Sequence, residues 1–236
     1  MSEVRNRTTT STMADNGNDV MGDADGQIRD SGHLSMMRTL LFADYITLLN
    51  GFCGVMSIFN SVKYGATGDA TYTVRAMWFI PFGLFFDFMD GRVARWRDKS
   101  SLMGQELDSL ADLISFGVAP ATIGFSLGLQ TAMDSVVLIY FVLCGLTRLA
   151  RFNVTVANIP KDEGGKSKYF EGTPIPTTLS IVGLMFYFHH QGWVHDSLIG
   201  GLWFADSPGL SIHPIVLVYA LSGCGMISKS LKVPKP

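Results

Sequence analysis

Four of the five aspartates in a stretch of 26 residues carry the strongest chemical signal in this chain. Asp87 and Asp90 stand three apart, and Asp108 and Asp112 stand four apart, in the string FDFMDGRVARWRDKSSLMGQELDSLAD. Both spacings put a pair on one face of a helix. Two such helices packed as antiparallel neighbours bring four carboxylates together. Their repulsion and loss of hydration are costly, and cations relieve both. Hard divalent ions prefer oxygen ligands, so Mg²⁺ or Mn²⁺ fits. No His or Cys stands nearby to suggest zinc. Two such ions clamp a transferring phosphoryl group, stabilising both the attacking and the leaving oxygen.

The neighbouring residue types suit a nucleotide diphosphate. Gly91 lets a ligand approach the backbone. Ala94 keeps that face shallow, and Arg95, one turn on, neutralises phosphate oxygens. Ser100, Ser101 and Gly104 supply hydroxyl and backbone donors in the turn between the helices. The competing reading is that the aspartates pair with Arg92, Arg95 and Arg97 at a membrane surface. Four carboxylates inside apolar helices argue for function instead.

The elements that hold these residues are membrane helices. Of 236 residues, 47% are hydrophobic and 16% are charged, and mean hydropathy is +0.27. A soluble domain carries about a quarter charged residues. Six apolar stretches recur: Leu40–Val62, Val74–Val93, Leu107–Gly128, Ser135–Leu149, Pro174–Gln191 and Ser211–Ser228. Each must be helical, because lipid satisfies no open backbone group. The fourth is short for a span of about 20 residues. The expected fold is an all-α polytopic membrane protein with six transmembrane helices. Residues 1–32, rich in Ser, Thr, Asn, Asp and Gly, are expected to form a disordered cytosolic tail. His33–Leu40 reads as a short interfacial segment, and 33–236 as the catalytic domain.

Of the 18 Lys and Arg residues, all but Lys63 and Arg75 fall on one side of this arrangement. The positive-inside rule puts that side, both termini and the aspartates in the cytosol. Cations are not interleaved with stacking aromatics, which argues against nucleic acid. Cys53, Cys144 and Cys224 sit in apolar runs as packing residues.

The string Asp87-x2-Asp90-Gly91-x2-Ala94-Arg95-x8-Gly104-x3-Asp108-x3-Asp112 resembles the signature of the CDP-alcohol phosphotransferase family at every defined position. From about Ser35 to Pro236 the chain is similar to the fungal members that use serine as the acceptor. SSLMGQELDSLADLISFGVAPA, RLARFNVTVANIPKD and GKSKYFEGTPIPTT carry that likeness. The resemblance implies the family's six-helix fold, a homodimer, residence in the endoplasmic reticulum membrane and two divalent ions. It implies transfer of a phosphatidyl group from CDP-diacylglycerol to L-serine. By position, Asp87, Asp90, Asp108 and Asp112 match metal ligands, and Asp112 also the proton acceptor. Gly91, Arg95 and Ser101 match positions that contact the CDP-diacylglycerol head group.

Free serine carries a carboxylate that needs a cation. Arg148 and Arg151, at the end of the fourth stretch, are candidates, with Phe152 and Lys168 nearby. Snorkelling or binding of lipid phosphate is the other reading of the arginines. Asn50 and Asp44 in the first stretch face either the lipid-nucleotide cavity or a neighbouring helix. Two alternatives to serine transfer stand: the same chemistry on inositol or glycerol 3-phosphate, and a divalent-cation transporter. No internal repeat of the kind common in transporters is visible. His189, His190 and His195 are expected to anchor the far membrane face together with Trp193 and Trp203.

Overall fold

The computed structural model describes residues 42–96, 102–158, 169–171, 173–204, 209–228 and 232–234. The expected tail, the interfacial segment, Ser100, Ser101 and Lys168 lie outside them. Helix α1 (Phe42–Thr67) is followed by α2 (Ala70–Trp96). The third span is composite. It runs through α3 (Leu102–Asp112), a π-helical segment (Leu113–Val118) and α4 (Ala119–Ser126) without a break. Helix α5 covers Ala132–Asn158, α6 Leu179–His190 and α7 Leu217–Ile227. Short 3₁₀ turns, Ile175–Thr178 and Pro214–Val216, lead into α6 and α7. Counted as spans, these are the six expected helices of a membrane protein.

Among the described residues, Ala43–Thr67, Met103–Ser126 and Ala132–Val154 are long and apolar enough to cross a bilayer. Helix α2 has the length but carries Arg75, Asp87, Asp90, Arg92 and Arg95.

Sequence sets the α1–α2 hairpin. Gly68 takes a left-handed φ of 69°, and its N–H closes on the Tyr64 carbonyl at 2.8 Å, the helix ending that glycine favours. Asp69 then caps α2 by accepting the Thr71 N–H at 2.9 Å. That backbone bond holds the Asp69 carboxyl below its ordinary range.

Helix α1 packs against α2, α3 and the π segment through a stripe of small and polar residues. Thr47, Asn50, Ser57 and Ser61 on this stripe are buried. Small residues let membrane helices approach closely. At Gly54 an added Cβ would stand 2.6 Å from Ser115 Oγ and 2.9 Å from Ser115 Cα. The apolar core lies beside this seam, around Ile80, Phe116, Phe141, Ile175, Met185 and Tyr219.

Two expectations change. The fourth helix is not short: α5 has 27 residues, so Arg148 and Arg151 lie inside it rather than at its end. A long cation does not stop a helix when its head can reach polar surroundings. The second change is a small antiparallel ribbon, β1 (Tyr169–Glu171) with β2 (Lys232–Pro234). It joins the α5–α6 connection to the C-terminal segment, a pairing between distant stretches that periodicity does not reveal.

At the end of the molecule remote from the aspartates, Asp134 is fully buried. It accepts the Thr131 N–H at 3.2 Å and the His213 N–H at 3.0 Å, and meets His213 Nδ1 at 2.6 Å. The start of α5 is thereby tied to the approach to α7. His195 stacks on Tyr64, and His189 meets the same ring edge-on.

Candidate metal centre and active site

Three of the four aspartates converge. One carboxylate oxygen from each of Asp87, Asp90 and Asp108 lies within 4.8 Å of the other two. The packing of α1 explains how. From its face Thr47 Oγ1 donates to Asp90 Oδ2 at 2.7 Å. Three residues on, Asn50 Nδ2 donates to Asp112 Oδ1 at 3.1 Å. Helix α1 therefore braces one carboxylate of each pair, fixing α2 against α3.

Asp112 is buried one turn beyond Asp108, its carboxyl within hydrogen-bonding reach of Asp87. It is the last residue before the π segment. There Ser115 Oγ donates to the Asn50 carbonyl at 2.9 Å. Single π-helical turns cluster at functional sites. Here the wider turn brings Ser115 onto α1 immediately after the last aspartate.

This donor set fits a divalent cation. Asp108 Oδ1 is buried without a hydrogen-bond partner, a costly state that a bound ion would relieve. Ligand oxygens of a magnesium ion stand about 3–4 Å apart, and these three, all within 4.8 Å of one another, lie near enough for one ion to draw them together. All donors are hard oxygens. The reading of Mg²⁺ or Mn²⁺ thus has a place to apply.

The remaining predicted residues distribute as follows. Gly91 is half-buried, and an added Cβ there would meet nothing within 4 Å, so the backbone beside Asp90 faces open space. Ala94 and Arg95 lie on the last turns of α2 and Gly104 on the first turn of α3. The side chains of Ala94 and Arg95 are outside the described set. Arg148 reaches toward the centre: it interacts electrostatically with Asp112, and its Nε is buried without a partner. Arg151 is half-buried and Phe152 exposed. Asn50 is wholly buried.

Sequence reasoning missed Thr47, although the spacing Asp44, Thr47, Asn50 marks one helical face and was the available signal. It also missed a clamp between α3 and α5. Asn153 accepts from Ser109 Oγ at 3.0 Å and donates to Glu106 Oε2 at 3.0 Å. No spacing rule links residues more than forty positions apart.

A helical membrane fold with clustered carboxylates at the ends of two neighbouring spans can hold a divalent cation close to the membrane surface. Residues 40–218 match the CDP-alcohol phosphatidyltransferase family, and the chain belongs to it. It is 59% identical over 208 residues to the CDP-diacylglycerol–serine O-phosphatidyltransferase of Saccharomyces cerevisiae, covering 88% of this chain and 75% of that protein. The Bacillus subtilis enzyme of the same name is 38% identical over 133 residues, 56% of this chain and 67% of its own. That of Methanocaldococcus jannaschii is 34% identical over 151 residues, 63% of this chain and 62% of its own.

Proposed function

We propose that this chain transfers the phosphatidyl group of CDP-diacylglycerol to the hydroxyl of L-serine, giving phosphatidylserine and CMP. The observation that carries the proposal is the meeting of Asp87, Asp90 and Asp108 oxygens in a chain of this family. Asp87, Asp90, Asp108 and Asp112 would together hold two Mg²⁺ or Mn²⁺ ions. When bound, such ions neutralise phosphate oxygens and polarise the phosphorus.

The chain's own residues divide the rest of the work. Gly91 leaves room beside Asp90 for the pyrophosphate, with Ala94, Arg95, Ser101 and Gly104 around it. Arg95 balances the charge on the departing CMP. Asp112 is the general base. Asn50 donates to its Oδ1 and so holds the carboxyl in the orientation from which it takes the serine hydroxyl proton. As that proton leaves, serine Oγ bonds to the lipid-side phosphorus, and the bond from that phosphorus to the bridging oxygen breaks with its electron pair going to CMP. Asn50, wholly buried, acts through Asp112 by fixing the carboxyl plane. Positioning of this kind accounts for a large share of enzymatic acceleration.

Arg148 receives the serine carboxylate, a role its unpartnered buried Nε supports. Arg151, Phe152 and Lys168 complete the acceptor side. Both termini and the active site face the cytosol, and the chain works as a homodimer in the endoplasmic reticulum membrane. The bias of Lys and Arg toward one side supports the orientation. So does the position of Lys63 and Arg75, which both approach the Tyr72 ring at the opposite end of the hairpin.

The test is CMP release by purified protein given CDP-diacylglycerol and serine, inositol or glycerol 3-phosphate. CMP should appear with serine. Release with another alcohol and none with serine would overturn the acceptor assignment.

A further inference from the structure

The last turns of α2 carry a second feature that the transferase chemistry does not use. A groove of about 600 Å³ is lined, among the described residues, by Phe88, Arg92, Val93 and Trp96. At about 100° per residue, Phe88, Arg92 and Trp96 form a stripe on the opposite side of α2 from Asp87 and Asp90. Exposure agrees with that geometry: Asp90 is 6% exposed, whereas Phe88 is 54% and Trp96 85% exposed.

The stripe is graded along the helix. Apolar Phe88 comes first, then a cation, then an indole, over a rise of about 12 Å. A phospholipid at the rim of a bilayer has the same order: acyl carbons, phosphate, headgroup. Tryptophan concentrates at that level of membranes. The Arg92 guanidinium lies over the Phe88 ring, 4.6 Å from its centroid. That contact uses the flat face of the cation and leaves its in-plane N–H donors for phosphate oxygens. Among the described residues no carboxylate pairs with Arg92.

We infer that this stripe is a binding site for an anionic phospholipid of the bilayer, separate from the site that takes CDP-diacylglycerol. Phosphate oxygens meet the guanidinium edge, and the acyl region lies along Phe88. The inference does not depend on which alcohol is the acceptor.

Brominated lipids quench nearby tryptophan, so Trp96 reports on its own neighbour. The full chain is placed in phosphatidylcholine vesicles containing a minor fraction of brominated lipid, either phosphatidylglycerol or phosphatidylcholine. The Trp96 signal is the difference from a Trp96→Phe variant. Brominated phosphatidylglycerol should quench it about fivefold more than brominated phosphatidylcholine, the factor that about 1 kcal/mol of attraction to one cation gives. Arg92→Gln should erase the preference while leaving serine transfer at the wild-type rate. Raising the salt concentration should weaken it in the unaltered chain, which needs no variant to fold. Saturating CDP-diacylglycerol should not change it. Equal quenching by the two lipids would overturn the inference. So would displacement by CDP-diacylglycerol, which makes this part of the substrate site. Absence of quenching by either lipid would mean that another part of the chain or a second copy covers the groove, and would overturn it too.

Discussion

An Asp112→Asn side chain keeps an oxygen for the Asn50 amide but has no basic atom for a proton. We expect it to bind CDP-diacylglycerol as before while kcat falls by about 10²–10⁴, the range that general-base removal gives. Single-turnover assays beside a lipid-binding measurement separate the two effects, and a variant that turns over normally refutes Asp112 as the base. A second residue bears on stability rather than chemistry. Asp134→Ala strands the partly buried His213 and Thr131 N–H groups, which the fully buried Asp134 now satisfies. Losing them should cost about 2–4 kcal/mol of stability, read as a lower unfolding midpoint in detergent with little change in KM of the protein that remains folded. The aspartates were legible because their spacing matches a helical turn. Thr47 was not, because a hydroxyl in an apolar run satisfies itself on its own helix as readily as it serves a neighbour. Thr47 does both, reaching the Ala43 carbonyl at 3.2 Å and Asp90 at 2.7 Å.

Helix α1 is the element on which the site rests, and at Gly54 it meets the π segment with no room for a side chain. Gly54→Ala places a methyl 2.9 Å from Ser115 Cα, where backbone must move. Overpacking of this kind costs about 1–3 kcal/mol. The displaced π segment would carry Asp112 with it, so activity should fall further than stability alone accounts for. A matched activity and melting series decides this, and an active, stable Gly54→Ala protein would mean that the seam yields without disturbing Asp112. The ribbon is the second element with a consequence. Because β2 pairs with β1, removing residues 232–236 frees the connection between α5 and α6 next to Lys168. KM for serine should rise more than kcat falls, whereas an unchanged KM would remove the ribbon from the acceptor side. The cores of all six spans were readable from hydropathy. The end of α5 was not, because Arg148 and Arg151 look like a boundary until the long-range partners of Asn153, Ser109 and Glu106, hold the helix past them.

At the scale of the molecule, apolar helices surround one seam of charged and polar groups. Composition alone foretold the apolar surroundings. The seam was foretold in its acidic half, because four carboxylates at the facing ends of two apolar helices are tolerable only around shared positive charge. Its bracing half on α1 depends on which helices become neighbours, which hydropathy leaves open. The seam also shows how the fold tolerates clustered acids in an apolar setting. Thr47 and Asn50 each satisfy one carboxylate, and a cation would supply what Asp108 Oδ1 lacks.

Divalent ions bound at the junction of α2 and α3, and required for transfer, are the central claim. Manganese binding to the purified chain, followed by electron paramagnetic resonance together with incorporation of labelled serine into lipid, tests it directly. Saturable manganese binding that Asp108→Asn strongly weakens is the expected result, with incorporation that a chelator abolishes and added Mg²⁺ or Mn²⁺ restores. Incorporation that persists at full rate under excess chelator, or manganese binding indifferent to Asp108→Asn, would contradict it.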